Sequence, residues 1–593
     1  MYSLTNKFQI CLGVALCGLL AGAPTNARAA DLNISQSPLF VATNVEPNVM
    51  FTLDDSGSMQ WEFMPDGDSF RFTIFMFPRP DGLYGGANYA NQVPSFRDNN
   101  LHNFFGRSAA NNGVFYNPDI TYRPWSRPDG TEMPNANPAA ALYNPAIPGL
   151  GSLNLTEQQT QSAVWFRGDT FAQGICDPCN GNHTYWPITY YNYNGGARTA
   201  RASYTLVQIT TATPAGATFT SPGGITRTRN QEIQNFANWF QYHRSRILTS
   251  RGAIGRAFTQ MPDQARVGFG AINKGSSSID GVDTGTVITG VRDFNLAGRN
   301  TFYDRLYNRV INTSGTPLRN AAKAVGEYFE RSDSRGPWSA SPGVNGGEDL
   351  ACRQSFHILM SDGFWNGGSP GVGNSDGTAG PTITGPDVGA GPQSFTYTAG
   401  DPFADTRSNT LADVAMHYWK RDLRSDLANR VSTTAEDPAF WQHLTSFGIG
   451  LGVQGTVDPA DAFAAVENGT PIPWDDPTTN PGKIDDLLHF GINGRGGFFT
   501  AADPETFADQ LGNLLLEIVA RTAATTGISV STTRLTQDSV AFAAEFDSED
   551  WSGKVKAINV LNGNTVWEAS SQINPSGRKV LTSQKDGTGG TNF

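Results

Sequence analysis

Asn48-Val49-Met50-Phe51-Thr52-Leu53-Asp54-Asp55-Ser56-Gly57-Ser58 is the stretch whose reading decides the fold. Its first six residues form a short, mostly apolar run without clear polar alternation. That pattern suits a strand buried on both faces, as in a parallel sheet held between helical layers. The run ends in a turn of acids, serines and a glycine. A buried parallel strand delivers such a turn at its carboxyl end, where doubly wound α/β sheets place their ligands.

Ser355 to Met360 (SFHILM) repeats the pattern and ends at Ser361-Asp362-Gly363. Further strands are predicted over 266–272 (RVGFGAI), 286–293 (TVITGVRD), 444–453 (LTSFGIGLGV) and 497–500. Apolar residues at helical spacing lie between them. Ile233, Phe236, Phe240, Ile247, Ile254 and Phe258 predict one long helix over 232–258, and 301–311 and 408–431 also read as helical. Thr316-Pro317 reads as a helix start with proline at the first helical position, Leu318, Ala322, Val325 and Phe329 forming the buried face. Asp503-Pro504 caps a last helix carrying Phe507, Leu511, Leu514, Leu515 and Ile518.

The alternation predicts a doubly wound, Rossmann-like α/β domain over 45–526. Residues 59–229, rich in Asn, Gly, Pro and aromatics, read as a large insertion with irregular or β structure of its own, because compact domains rarely hold so long a structureless loop. A Gly/Pro/Ser-rich second excursion runs over about 364–403. After 526 the period changes to two, with turns such as Asn562-Gly563, so 527–593 reads as the start of an all-β domain inside which the chain is expected to stop.

The 593 residues carry a net charge of −12 and no dense basic block, which argues against nucleic acid as a partner. Lys7, the apolar run Ile10 to Ala23 and Ala27-Arg28-Ala29 read as a signal peptide over 1–29, so export is expected. Cys176, Cys179 and Cys352 remain after its removal. Cys176-Asp177-Pro178-Cys179 reads as a local disulfide in a loop rather than a zinc half-site, since only His183 lies nearby as a further ligand.

Asp54, Ser56 and Ser58 alternate, so they can point one way in a turn while Asp55 and Gly57 point elsewhere. Thr316, at a helix start, and Asp362, at a strand end, carry matching chemistry. Carboxylate and hydroxyl oxygens are hard ligands that suit Mg²⁺, Mn²⁺ or Ca²⁺ and suit zinc poorly. Two carboxylates would only neutralise a divalent ion, and five protein ligands leave at least one of six positions open, where a partner's carboxylate fits.

D-x-S-x-S with a distant Thr and a distant Asp resembles the metal-ion-dependent adhesion site of von Willebrand factor A-type domains. That resemblance implies Ser56, Ser58 and Thr316 as direct or near-direct ligands, with Asp54 and Asp362 binding directly or through water. A narrower resemblance rests on FTLDDSGSM (51–59), VFYNPDITYRPW (114–125), WFRGDTF (165–171), EIQNFANWFQYHRSRIL (232–248), CRQSFHILMSDGFWNG (352–367) and DWSGKVKAINV (550–560). Together these segments resemble the PilY-type family of type IV pilus biogenesis and tip adhesin proteins, over most of 45–593. The resemblance implies an A-type domain followed by a C-terminal β-propeller, minor pilins at the pilus tip as partners, and attachment to host or abiotic surfaces. The propeller's calcium loop of that family has no counterpart after Asp550.

Other motifs carry less. Arg167-Gly168-Asp169 matches an integrin-read tripeptide, but such tripeptides recur by chance. Asp475-Asp476 and Asp485-Asp486 read as a solvated acidic loop, with a second cation site as the alternative. No G-x-S-x-G, H-E-x-x-H or P-loop is present, and Ser56 lacks a general base beside it in sequence, so no enzyme is expected. The expected function is metal-dependent adhesion and pilus biogenesis. The alternatives are a structural tip cap whose metal only stabilises loops and, third, a metal-dependent hydrolase.

Overall fold

The computed structural model describes residues 45–65, 74–386, 393–434, 436–501 and 503–523, and beyond these separate strand segments between 529 and 592. The expected signal segment 1–29 and most of the expected strand 528–535 lie outside the described residues.

Six strands build the central sheet: β1 (Asn48–Leu53), β2 (Arg266–Ala271), β3 (Val287–Asp293), β4 (Ser355–Ser361), β5 (Thr445–Leu451) and β6 (Arg495–Ala501). Their spatial order is β3-β2-β1-β4-β5-β6. All neighbours pair in parallel except β2 with β3, which makes β3 an antiparallel edge. This is the 3-2-1-4-5-6 order of a doubly wound sheet, whose winding reverses between β1 and β4. The parallel register sets Leu53 opposite Met360, so both strands release their loops at the same level.

Both faces of β1 are buried, which explains its unalternating sequence. Val49, Phe51 and Leu53 pack into one apolar cluster with Ile254 and Phe258 of α2 (Arg246–Thr259), Phe302 of α3 (Leu296–Tyr307), and Leu511 and Ile518 of α7 (Pro504–Ala523). Met50 faces the opposite cluster, with Leu318 and Val325 of α4 (Leu318–Phe329), Leu411 of α5 (Leu411–Trp419), and Leu487 and Phe490 of α6 (Asn480–Asn493). Helices thus cover the sheet on both sides.

Among the described residues, 57–228 add no strand to this sheet. They hold short pairings, including the parallel pair Gln92–Pro94 with Gln159–Arg167 and the antiparallel pair Thr189–Tyr193 with Tyr204–Gln208. Phe77, Trp125, Trp165 and Tyr190 from this region belong to the same cluster as Phe51, so the insertion shares the core of the sheet.

Three helical readings are corrected. The helix expected over 232–258 is two: α1 (Arg229–Tyr242), opened by a Thr228/Gln231 capping box, and α2, capped by Ser245. Arg244 and Arg246 both engage the 61–63 segment: Arg244 Nε donates to Glu62 Oε1 at 2.9 Å, and Arg246 Nε to the Phe63 carbonyl at 2.8 Å. Residues two apart on a continuous helix do not face one way, so satisfying both requires the break. Pro317 occupies the N-cap of α4 and not its first helical position. Finally, α5 ends at Trp419 instead of extending to 431, because the Leu423 N–H turns to pair with the Gln442 carbonyl at 2.8 Å.

Beyond α7, Ser529–Val530, Val540–Asp547, Ser552–Asn559 and Thr565–Glu568 pair as a four-stranded antiparallel sheet, in keeping with the change of period after 526. No helix among the described residues is long and apolar enough to cross a membrane.

Candidate metal centre

The β1 and β4 loops meet where the winding of the sheet reverses. The Asp54 N–H donates to the Met360 carbonyl at 3.0 Å, continuing the ladder one step past β1. Asp54 is fully buried; its Oδ1 accepts the Ser56 N–H at 2.8 Å and its Oδ2 the Ser361 hydroxyl at 2.7 Å. Ser56 Oγ and Ser58 Oγ are hydrogen-bonded at 3.0 Å, and Ser58 Oγ donates to Asp362 Oδ1 at 3.0 Å. Asp54, Ser56, Ser58 and Asp362, over 300 residues apart in part, therefore form one connected oxygen cluster.

The loop that carries Thr316 is held beside the cluster by backbone bonds. The Gly57 N–H donates to the Ser314 carbonyl at 2.8 Å, which brings the loop before α4 against the β1 loop. The Thr316 N–H donates to Asn366 Oδ1 and its carbonyl accepts the Asn366 N–H, both at 2.9 Å, which ties the same loop to the one after β4. Gly57 lies so close to this loop that a Cβ would come within 2.4 Å of the Tyr89 hydroxyl and 3.0 Å of Thr313 Cα.

Asp55 turns away from the cluster, as the alternation predicts. Its Oδ1 accepts the Asn273 N–H at 2.8 Å and its Oδ2 takes Arg309 Nε at 2.7 Å. Burial still raises its carboxyl, against the opposing pull of Arg309.

The electrostatics are those of crowded acid. Burial, and then the facing Asp362 carboxylate, push Asp54 up to about 8, although the hydrogen bonds from Ser361 and Ser56 pull the other way. Arg246 is the residue sequence reading missed. Its Nη1 donates to Asp362 Oδ2 at 2.8 Å, with side-chain exposures of 0% and 1% for the pair. Within His243-Arg244-Ser245-Arg246 nothing marks Arg246 as a site residue; its partner lies 116 positions away and follows only from the break between α1 and α2.

The other sequence candidates lie elsewhere. Arg167 ends the strand Gln159–Arg167, with an exposed side chain 3.8 Å from Asp177; Gly168 is buried, its N–H on Asn100 Oδ1, while Asp169 is exposed. Cys176 and Cys179 are joined in a disulfide, and Cys352 is an exposed free thiol. The acidic pairs are not one solvated loop. Asp485 accepts the N–H groups of Thr456 and Val457, and Asp486 accepts those of Leu411 and Ala412, capping α5; both are buried. Their spacing hid this, because the donors sit 28 to 75 residues away.

No known family profile matches the chain. Similarity to characterised proteins is nevertheless long. The chain is 27% identical over 618 residues to the type IV pilus biogenesis factor PilY1 of Pseudomonas aeruginosa strain PAK, covering 96% of this chain and 48% of that protein. PilY1 of strain UCBPP-PA14 is 27% identical over 607 residues, covering 94% and 47%. The resemblance to the PilY-type family thus holds across nearly the whole chain, and the chain spans about half the length of these relatives. Among solved structures, the pilus adhesin SpaC of Lactobacillus rhamnosus GG has a TM-score of 0.26 at 10% identity, covering 54% of this chain and 36% of that one. A von Willebrand factor type A protein from Catenulispora acidiphila has a TM-score of 0.22 at 11% identity, covering 55% and 60%. Both structural likenesses are slight.

Proposed function

We propose that this chain is a type IV pilus biogenesis factor and tip adhesin whose switch-point site holds a divalent cation through Asp54, Ser56, Ser58, Thr316 and Asp362. The observation that carries the reading is the connected cluster of two buried carboxylates and two hydroxyls where β1 and β4 end. The similarity to PilY1 supports the pilus setting, with minor pilins as partners and a position outside the cytoplasm. The C-terminal strands would open a β-propeller, as the family resemblance implies, and the A-type domain would extend over 45–526 around its two excursions.

The residues fit a hard cation. Two carboxylates face each other at a cost visible in the raised Asp54 carboxyl, and a cation between them relieves that cost. All candidate ligand atoms are oxygen, as Mg²⁺, Mn²⁺ and Ca²⁺ prefer. Such an ion, when bound, supplies positive charge for a carboxylate of a surface ligand. The protein's own part is positional: Ser361 orients Asp54, Arg246 orients Asp362, and Gly57 lets the α4 loop approach. Ser56 Oγ is hydrogen-bonded to Ser58 and, among the described residues, to no histidine, which favours a ligand over a nucleophile.

The test is calorimetric titration of Mg²⁺ and Ca²⁺ into the unaltered chain and the Asp54→Ala/Ser56→Ala variant. Binding lost at least tenfold in the variant is expected; equal affinity refutes the site. One observation favours a second reading. Arg246 already neutralises Asp362, so a cation here could serve only to stabilise the loops of a tip cap. Site variants that lose surface attachment yet still capture minor pilins support adhesion, and variants that lose capture support the assembly role.

A further inference from the structure

A second cluster of ligand groups lies away from the switch point, between the excursion after β4 and helix α6. Asp376, Asp405 and His489 each place a ligand atom within 4.8 Å of the others. Asp376 and His489 are buried. Asp376 Oδ2 is 3.6 Å from His489 Nε2, and Asp405 Oδ2 is 3.9 Å from His489 Nδ1.

Three features separate this group from an incidental meeting of acids. First, the imidazole is held as a metal-ligating histidine is held. His489 Nε2 lies 2.6 Å from the Phe403 carbonyl, which can only accept, so the proton sits on Nε2 and the Nδ1 lone pair is free to bind. The Trp474 ring stacks on the imidazole at 3.8 Å and 8°, fixing its plane. Second, a carboxamide completes the wall. Asn493 is fully buried and donates through Nδ2 to Asp376 Oδ2 at 2.9 Å. Its Oδ1, equally buried, has no well-aligned donor, the His489 ring being its polar neighbour. An orphaned amide oxygen in a buried site calls for a partner. Third, the negative charge lacks a direct ion pair, Lys420 and Arg407 acting on it only at longer range. Among the described residues neither Asp376 nor Asp405 forms an ion pair with lysine or arginine: Arg407 pairs with Asp476, and the Lys420 ammonium donates to the carbonyls of Ser375 and Thr378. Asp413 is committed as a cap, accepting the Ser375 N–H at 2.6 Å and the Thr410 N–H at 3.0 Å.

We propose that Asp376, Asp405, His489 and Asn493 Oδ1 bind a divalent first-row transition ion, Zn²⁺ or Mn²⁺, that fastens the excursion after β4 to α6. One imidazole nitrogen with carboxylate and amide oxygens suits those ions better than Mg²⁺ or Ca²⁺, which favour oxygen alone.

The experiment uses the full chain carrying Asp54→Ala/Ser56→Ala, so that the switch-point site contributes nothing. Zn²⁺ titration by calorimetry after chelator treatment is expected to show one equivalent bound. Adding His489→Gln or the milder Asp405→Asn should weaken it at least tenfold, circular dichroism confirming that each variant is folded. Co²⁺ serves as a second probe: its visible absorption bands should report nitrogen ligation and change in His489→Gln. No Zn²⁺ bound by the double variant, or binding and Co²⁺ spectra indifferent to His489→Gln and Asp405→Asn, overturns the assignment.

Discussion

At the scale of single residues, the switch-point site depends on a cation the protein carries itself. Arg246 donates to Asp362, to the Phe63 carbonyl and lies over the Trp61 ring, its guanidinium centre 5.0 Å from the ring centroid. Removing one partner of a buried ion pair leaves the other charged and desolvated, which typically costs roughly 3–5 kcal/mol. Arg246→Met should therefore lower stability by about that amount in chelator, measured by urea denaturation. A divalent ion at the site would supply the missing charge, so saturating Mg²⁺ or Mn²⁺ should restore more stability to Arg246→Met than to the unaltered chain. Equal stabilisation of both proteins would count against a cation beside Asp362. Asp54, Ser56, Ser58 and Asp362, which the fold brings together, were legible because their types and order are distinctive. Arg246 was not, because a buried arginine is identified by its partner, and the partner is supplied by the fold.

Among the elements, the α1–α2 break has the largest consequence for the site. Apolar spacing runs on through 232–258, so periodicity alone describes one helix. The break is decided by Glu62 and the Phe63 carbonyl, which draw two arginines to the same side. Ser245 makes the break affordable by capping α2, its side chain accepting the Leu248 N–H, and its hydroxyl also accepts from the Tyr84 phenol at 2.8 Å. Ser245→Ala should destabilise the protein by about 1–2 kcal/mol through loss of the cap. Thermal unfolding should show the loss, and weaker cation binding should accompany it because Arg246 is the first residue of α2. A Ser245→Asp variant, which keeps a capping oxygen, should recover part of both. If Ser245→Ala matched the unaltered chain in melting temperature, the cap would not be what holds this corner.

For the molecule as a whole, a buried neutral imidazole is one source of acid sensitivity. His357 sits in β4 at the centre of the sheet, 3.0 Å from Thr52 Oγ1, and burial lowers it to about 3. An unfolded chain takes up a proton near pH 6.5 that the folded protein refuses until near pH 3, so the unfolded state binds more protons in between and stability falls as pH falls through that window. The contribution of one such group approaches about 1.4 kcal/mol per pH unit. Raised carboxyls such as Asp54 have the opposite slope, so the group is isolated by difference. His357→Gln should lose less stability than the unaltered chain on going from pH 6.5 to 4. Parallel stability curves for the two proteins would show that His357 is not the group responsible.

By itself, the sequence determined the alternation of buried strands and helices, the switch-point loop after Leu53, the second strand end at Asp362, the cap at Asp503 and the change to period two after 526. These are local signals: the burial of β1 on both faces is written in its composition, and a turn of small polar residues follows it directly. Only the tertiary structure decided which distant groups meet. It paired Asp362 with Arg246, turned Asp485 and Asp486 from a surface loop into buried caps, and gathered Asp376, Asp405, His489 and Asn493 from segments up to 117 residues apart. The physical reason is that buried charge and orphaned amides are stable only through partners, and partners are chosen by proximity in the folded chain, which residue spacing does not encode.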